Sequence, residues 1–342
     1  PAEILNAVKT LKNGKSSAED LISNEMIKCG MPVLLEPLLK LFNLVFMKGS
    51  FPKLWNKSLI TLIHKKGNKS DPSNYRGISL TSNLGKLFNK IIHTRLMKFI
   101  NTNNLISENQ IGFKEKARTA DHIFSLKSIV DKYKTKKKKI FAAFIDLRKA
   151  FDTVWREGLF YILLQNRLPG KLFNVIQSMY NDNKCRIKFQ NGISHEFISN
   201  CGVKQGDVLS PTLFNIYING LVNDLDHANT QPIIIDVKLT SLLYADDIIL
   251  LSETQEGLQN ALNELTKFCS LWKLDVNKQK SKIIIFNSNG KSHCNYFKVE
   301  KEHLETVKSI CYLGITINCS GSLSHSKNNL MEKGRKAWFK NR

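Results

Sequence analysis

Hydrophobic positions along this chain follow two periods. At helical spacing they mark residues 2–8, 37–47, 82–101, 119–133, 156–180 and 256–272. Leu84, Leu87, Phe88, Ile91, Ile92 and Leu96 share one face of the 82–101 stretch, and Ile123, Phe124, Leu126, Ile129 and Val130 share one of 119–133. These stripes predict core. Pro169-Gly170 interrupts the 156–180 stretch, and Ser210-Pro211 reads as N-cap and first position of a helix running to about Leu225. Short runs at 59–64, 141–145, 248–251 and 282–286 predict strands, and 185–189 with 194–200 predict a hairpin around Asn191-Gly192. Helices alternating with antiparallel hairpins predict an α+β fold.

The chain has 342 residues, 42% of them hydrophobic, enough for roughly two domains with an ample core and not the composition of a disordered chain. No apolar run reaches the ~18 residues that span a bilayer. No basic segment leads into an apolar one at the N-terminus. An intracellular location is therefore expected, in nucleus, cytoplasm or both, with no membrane partner. Pro1 in place of Met reads as the start of a fragment or a processed piece. The seven cysteines, Cys29, Cys185, Cys201, Cys269, Cys294, Cys311 and Cys319, are odd in number and scattered. They predict buried free thiols in a reducing compartment, without disulfides or zinc knuckles, and His293 and His325 do not alter that.

Charge is unevenly spread along the chain. The net charge is +22; residues 51–150 hold 22 Lys+Arg against 6 Asp+Glu, whereas residues 201–250 hold 2 against 6. A basic region suits a phosphate backbone and a small acidic island suits metal ions. The lysines of 132–139 read as an exposed connection.

The acidic island contains Tyr244-Ala245-Asp246-Asp247 between two apolar runs, a strand–turn–strand pattern with acids at the tip. Adjacent carboxylates repel and need a compensating cation; hard divalent ions take such oxygens. Alone, the pair reads more often as a solvated turn. A second apolar run ends in Asp146, which alone reads equally as a helix cap. Together, Asp146, Asp246 and Asp247 suggest a two-metal site for phosphoryl transfer. Between them lies Gly202-Val203-Lys204-Gln205-Gly206-Asp207-Val208-Leu209-Ser210-Pro211, a loop into a helix, where Gly206 permits close backbone approach and Gln205 offers an amide to a flat ligand.

These three segments, in this order, resemble the palm of reverse transcriptases, specifically those of non-LTR (LINE-type) retrotransposons. Leu59 to Lys66 with Asn74-Tyr75-Arg76-Gly77-Ile78-Ser79-Leu80 resembles that branch's fingers, and Asn109-Gln110-Ile111-Gly112-Phe113 its next block. Leu274-Asp275-Val276-Asn277-Lys278-Gln279-Lys280-Ser281-Lys282 resembles its lysine motif and Tyr312-Leu313-Gly314-Ile315 its primer grip. The resemblance covers roughly Leu59 to Ile317. It implies a right-hand polymerase fold: a helical extension over 1–58, fingers over 59–139, an antiparallel-sheet palm over 140–317 with some finger elements inserted, and the start of a thumb or connection over 318–342.

The resemblance implies an RNA-directed DNA polymerase extending a primer 3′-hydroxyl with dNTPs, in retrotransposon replication. Its partners would be an RNA template and a DNA primer or target. The cofactor would be two Mg2+ ions, with Mn2+ able to substitute. Asp146, Asp246 and Asp247 would be catalytic and metal-binding, joined by the backbone carbonyl at 147. Lys65, Arg76, Phe151, Gln205, Gly206 and Lys280 would contact the nucleotide, Phe151 as a gate against the ribose 2′-hydroxyl and Lys280 at the pyrophosphate. Asp152 reads as a structural hydrogen-bonder. Tyr312, Leu313 and Gly314 would form the primer grip. Phe151 also fits a core aromatic, and Lys278, Lys280 and Lys282 alternate as on one strand face, leaving their register open. Gly77 stands where many relatives carry proline. An endonuclease would lie elsewhere in the full-length protein. The alternatives are a non-catalytic nucleic-acid-binding transposon relic and a group II intron-type reverse transcriptase or maturase.

Overall fold

The computed structural model describes residues 1–114, 117–189, 192–235, 237–287 and 296–340. The turn expected at Asn191 and the His293-Cys294 pair lie outside them. The chain forms two compact units, each from two stretches: Pro1–Ile106 with Phe151–Tyr217, and Ser107–Ala150 with Ile218–Arg342. The segments 59–139 and 140–317 each contribute to both.

In the first unit, strand Ser58–His64 pairs antiparallel with Tyr75–Leu80 and parallel with Lys184–Phe189, so the sheet is mixed. Gly192–Ile193 and Phe197–Ile198 complete the Lys184–Phe189 edge. Phe42, Phe51, Trp55 and Phe88 form an aromatic core with ring centroids 5.2 to 6.1 Å apart. Phe42 belongs to helix Asn24–Lys48, which starts at a Ser23 cap and ends at Gly49, φ 61°. By length and composition this helix is long and apolar enough to cross a membrane. This corrects the expectation from sequence: the charges of Glu36 and Lys40, which pair across one turn at 2.8 Å, break the run without lowering its average hydropathy below that of a span. Its buried stripe is Ile27, Met31, Leu38, Phe42 and Val45.

The second unit carries a six-stranded sheet in the order Phe297–Val299, Glu302–Thr306, Lys282–Phe286, Ile140–Asp146, Asp247–Ser252, Ser241–Tyr244. All neighbours are antiparallel except Lys282–Phe286 with Glu302–Thr306. Every residue from Ile140 to Ile145 is buried. Layers cover both faces of that strand, so it reads as a continuous apolar run without alternation. Ala142 and Phe144 pack in one core with Leu126, Ile129, Val130 and Tyr133 of helix Thr119–Thr135. Helix Gln255–Leu271 also packs against the Ile140–Asp146 and Asp247–Ser252 strands. A hairpin, Ser309–Tyr312 with Ile315–Asn318, precedes helix Ser324–Lys340.

Three further expectations need correction. Phe124 is 73% exposed; the buried face is His122, Leu126, Ile129, Val130 and Tyr133, and Phe124, two residues from both His122 and Leu126, points opposite. The helix opened by Ser210 breaks at Asn219 into Ser210–Ile218 and Gly220–His227. Of the described cysteines, Cys185, Cys269 and Cys319 are buried free thiols, but Cys29, Cys201 and Cys311 are exposed.

Candidate active site

Tyr244 pairs with Asp247, so Ala245 and Asp246 form a two-residue turn between the strands. Ala245 takes φ 57°, left-handed and unusual for a residue with a Cβ. On its other side Asp247 faces Asp146 directly in register. Strand pairing thus brings two carboxylates opposite each other and sets Asp246 one residue away. The Asp247 carboxyl is pushed up to about 6, first by the protein packed around it and then by the charges of Asp246 and Asp146, although its surface is still open to water.

Lys280 answers that charge: its Nζ lies 3.8 Å from Asp146 Oδ2. It sits in a turn, not on a strand face. The Lys280 N–H donates to the Asn277 carbonyl, while the Asn277 N–H donates to the Asp146 carbonyl at 2.8 Å. The Asp146 N–H donates to Ser281 Oγ at 3.1 Å, and the Arg148 N–H to the Asp275 carbonyl at 2.8 Å. The lysine register left open by sequence is resolved by partners: Lys278 pairs with Glu300 and Glu302, and Lys282 with Glu305. Lys280 alone of the three faces Asp146.

Three carboxylates with raised mutual repulsion and access to water are hard oxygen donors of the kind Mg2+ takes. Among the described residues no three His, Cys, Asp or Glu side chains converge closely enough, as they stand, to hold an ion. The fit therefore rests on donor chemistry and strand register, with closure left to side-chain rotation.

The first unit gathers a second set. The Ser79 N–H donates to the Gln205 carbonyl at 2.8 Å, tying the glycine-bearing loop to the strand that carries Arg76. Gly206 has φ +106°, and a Cβ there would sit 3.3 Å from the Ser79 carbonyl oxygen. Gln205 Nε2 donates to Asp152 Oδ1 at 2.8 Å, so the amide is oriented by the side chain expected to act structurally. Phe151 is half-buried and stacks on buried Phe214, centroids 4.8 Å apart at 20°. Arg76 is exposed opposite Ile63, and exposed Lys65 closes the same hairpin, its N–H donating to the Asn74 carbonyl.

Two supports of this loop escaped the sequence reading. Buried Arg156 donates from Nε to the Gly202 carbonyl at 2.9 Å, from Nη1 to Ser199 at 2.6 Å and Tyr180 at 3.3 Å, and from Nη2 to Cys201 at 2.9 Å and Ser199 Oγ at 3.2 Å. No local signal distinguishes this arginine from a surface one. Asp207 accepts from the Leu209 N–H at 2.9 Å and from Asn89 Nδ2 at 2.6 Å; an Asp accepting from the N–H two residues on is a readable turn signal.

In the hairpin expected as primer grip, Tyr312 is buried against Phe144, centroids 5.6 Å apart, and its hydroxyl meets His122 Nδ1 at 3.1 Å. Burial pushes the phenol up and pulls the His122 imidazole down to about 4. Leu313 and Gly314, φ 47° and 82°, form the tip.

Residues 63–317 match the sequence family described as "Reverse transcriptase (RNA-dependent DNA polymerase)". The chain is similar to the probable RNA-directed DNA polymerase from transposon BS of Drosophila melanogaster, 31% identical over 92% of this chain and 35% of that protein. It is also similar to the RNA-directed DNA polymerase from mobile element jockey of the same species, 27% identical over 97% of this chain and 36% of that protein. The chain thus spans about a third of the length of these curated relatives. Telomerase from Candida tropicalis, solved with a TWJ fragment of telomeric RNA, shares the fold, with TM-score 0.55 and 16% identity over 93% of this chain and 51% of that one.

Proposed function

This chain belongs to the reverse transcriptase (RNA-dependent DNA polymerase) family, and on that footing we propose that it copies RNA into DNA, extending a primer 3′-hydroxyl with dNTPs in non-LTR retrotransposon replication. One observation carries the reading beyond family membership: Asp146 and Asp247 face each other in register, with Asp246 beside them and Lys280 3.8 Å from Asp146. Asp146, Asp246 and Asp247 would hold two Mg2+ ions, with Mn2+ able to substitute. When bound, such ions stabilise charge on the attacking and leaving oxygens.

The chain's own residues do the rest. Lys280, 3.8 Å from Asp146, would hold or protonate the pyrophosphate leaving group. Arg76 presents a planar fork to the triphosphate, with Lys65 as a second cation. Gln205 and Gly206 offer an amide and a bare backbone to the nucleotide. Phe151, held flat on Phe214, limits the space at the sugar. Leu313 and Gly314 form the primer-facing tip, while Tyr312 anchors it. Template RNA and DNA primer are the partners, and an endonuclease would be supplied by other parts of the full-length protein. The test is extension of a DNA primer on an RNA template with dNTPs and Mg2+; no product at any template length rejects the reading.

Template binding should depend strongly on salt, given 22 basic residues against 6 acidic over residues 51–150. The logarithm of affinity should fall against that of salt with a slope of about −0.7 to −0.9 per phosphate contacted. Fluorescence anisotropy across a salt series measures it, and a flat response would exclude phosphate-led binding.

Phe151→Val should raise ribonucleotide insertion and leave deoxynucleotide insertion within roughly tenfold, about 1.4 kcal/mol of barrier. The half-buried ring stacks on buried Phe214, centroids 4.8 Å apart, so a smaller side chain at 151 would widen the space beside that stack. Single-nucleotide insertion with both sugars, beside a melting curve, checks this. An unchanged sugar preference with a lowered melting temperature would assign Phe151 to packing alone.

A further inference from the structure

The block Asn109-Gln110-Ile111-Gly112-Phe113 has no role in the reaction as described so far, yet it lies against the turn that carries Asp246. The Leu243 N–H donates to the Asn109 carbonyl at 2.9 Å, and the Ile111 N–H donates to the Leu243 carbonyl at 3.1 Å. This short parallel pairing lies on the outer edge of strand Ser241–Tyr244, the last strand of its sheet. Gln110 between them is completely buried. Its Oε1 accepts from the Gly112 N–H at 2.9 Å and from the Ala245 N–H at 3.1 Å, and its Nε2 faces the Ala245 carbonyl at 3.4 Å. One side-chain amide thus meets both backbone groups of Ala245, as a neighbouring peptide would.

Ala245 needs such support. At φ 57° it holds a left-handed conformation that costs a residue with a Cβ on the order of 1 kcal/mol or more, and that persists where its surroundings over-determine it. Its own rotation sets the direction in which the chain enters Asp246 and Asp247. Gly112 closes the seat. A Cβ there would lie 2.2 Å from the Ala245 nitrogen and 2.9 Å from the Tyr244 carbonyl carbon, both backbone atoms that cannot swing aside. The absence of a side chain at 112 is what lets the segment approach the turn.

We infer that Gln110 and Gly112 are positioning residues for the reaction: together they seat the Ala245 turn and so fix where Asp246 and Asp247 present their carboxylates. The inference rests on the proposed polymerase reading. An amide suits the task because it offers an acceptor and a donor in one plane and does not titrate. A merely structural role would affect stability and leave the carboxylates' affinity for a divalent ion unchanged.

Gln110→Met separates the two, because it keeps the volume and removes all the amide's bonds. Mn2+ binding is followed by electron paramagnetic resonance, the folded fraction by circular dichroism, and kcat and KM by primer extension on the same samples. Per folded molecule, Mn2+ affinity and kcat should each fall by about ten- to a hundredfold, as when a group supporting metal ligands is lost, while KM for primer–template stays within about twofold. Gly112→Ala should behave likewise. Ala245→Gly, which takes a positive φ without the Cβ penalty, should reduce the effect of Gln110→Met; if Gln110→Met does not fold alone, it is compared in that background with Ala245→Gly, where a smaller fall is still expected. Wild-type Mn2+ affinity and kcat per folded molecule, with only a lowered melting temperature, would overturn the inference. A wild-type chain that neither binds Mn2+ nor extends a primer would instead defeat the polymerase reading.

Discussion

Asp246→Asn is expected to lower RNA-templated primer extension by about three orders of magnitude or more, while binding of primer–template stays near wild type. The change keeps the shape of the side chain and removes one charge from a trio in which Asp146 and Asp247 face each other in register. Those charges already push the Asp247 carboxyl up to about 6, after burial. The loss follows because a carboxamide is a far weaker ligand for a hard cation than a carboxylate, and the cation carries much of the stabilisation in phosphoryl transfer. Extension rates and anisotropy binding curves measured on one preparation check it. Equal extension by wild type and variant would remove Asp246 from the chemistry.

Arg156→Ala should cost the first unit about 3–5 kcal/mol in stability, because the buried guanidinium leaves behind carbonyls at Tyr180, Ser199, Gly202 and Cys201 that accept from it. Arg156→Lys should recover only part of this, since a point charge with three donors cannot reproduce the fork. Urea denaturation at fixed pH reads the difference. Three of these carbonyls, at Ser199, Cys201 and Gly202, lie in the segment leading to Gln205 and Gly206, so nucleotide KM should rise in whatever fraction stays folded. A loss below about 0.5 kcal/mol would mean that water takes the guanidinium's place.

The candidate site was legible where it is local. The strand–turn–strand around Asp246 and the strand ending in Asp146 follow from apolar runs with acids at their ends, and pairing does the remaining work. What the sequence concealed depends on distant partners. Lys278, Lys280 and Lys282 alternate identically on paper; only Glu300, Glu302 and Glu305, on a strand pair about twenty residues away, single out Lys280. Gln110 lies 135 residues from Ala245, so nothing near it announces what its amide holds. That Tyr312 is buried against Phe144 and His122 likewise depends on partners far away in the chain. In the fold, Phe124 was misplaced because its helix turns a histidine inward, and hydrophobicity alone does not foresee a buried His122.

The central strand Ile140–Asp146 has a consequence for synthesis. Its two sheet neighbours, Asp247–Ser252 and Lys282–Phe286, leave the ribosome roughly 100 and 140 residues later, about 5–30 seconds at ordinary elongation rates. Through that interval Phe141 to Ile145 is an uncharged segment without proline or glycine, the composition that favours cross-β association between nascent chains. Lys136, Lys137, Lys138 and Lys139 immediately precede it. Charges flanking an unavoidable hydrophobic strand act as gatekeepers. By that argument the lysine run, exposed in the folded chain, should disfavour association between nascent copies of this strand before its partners arrive.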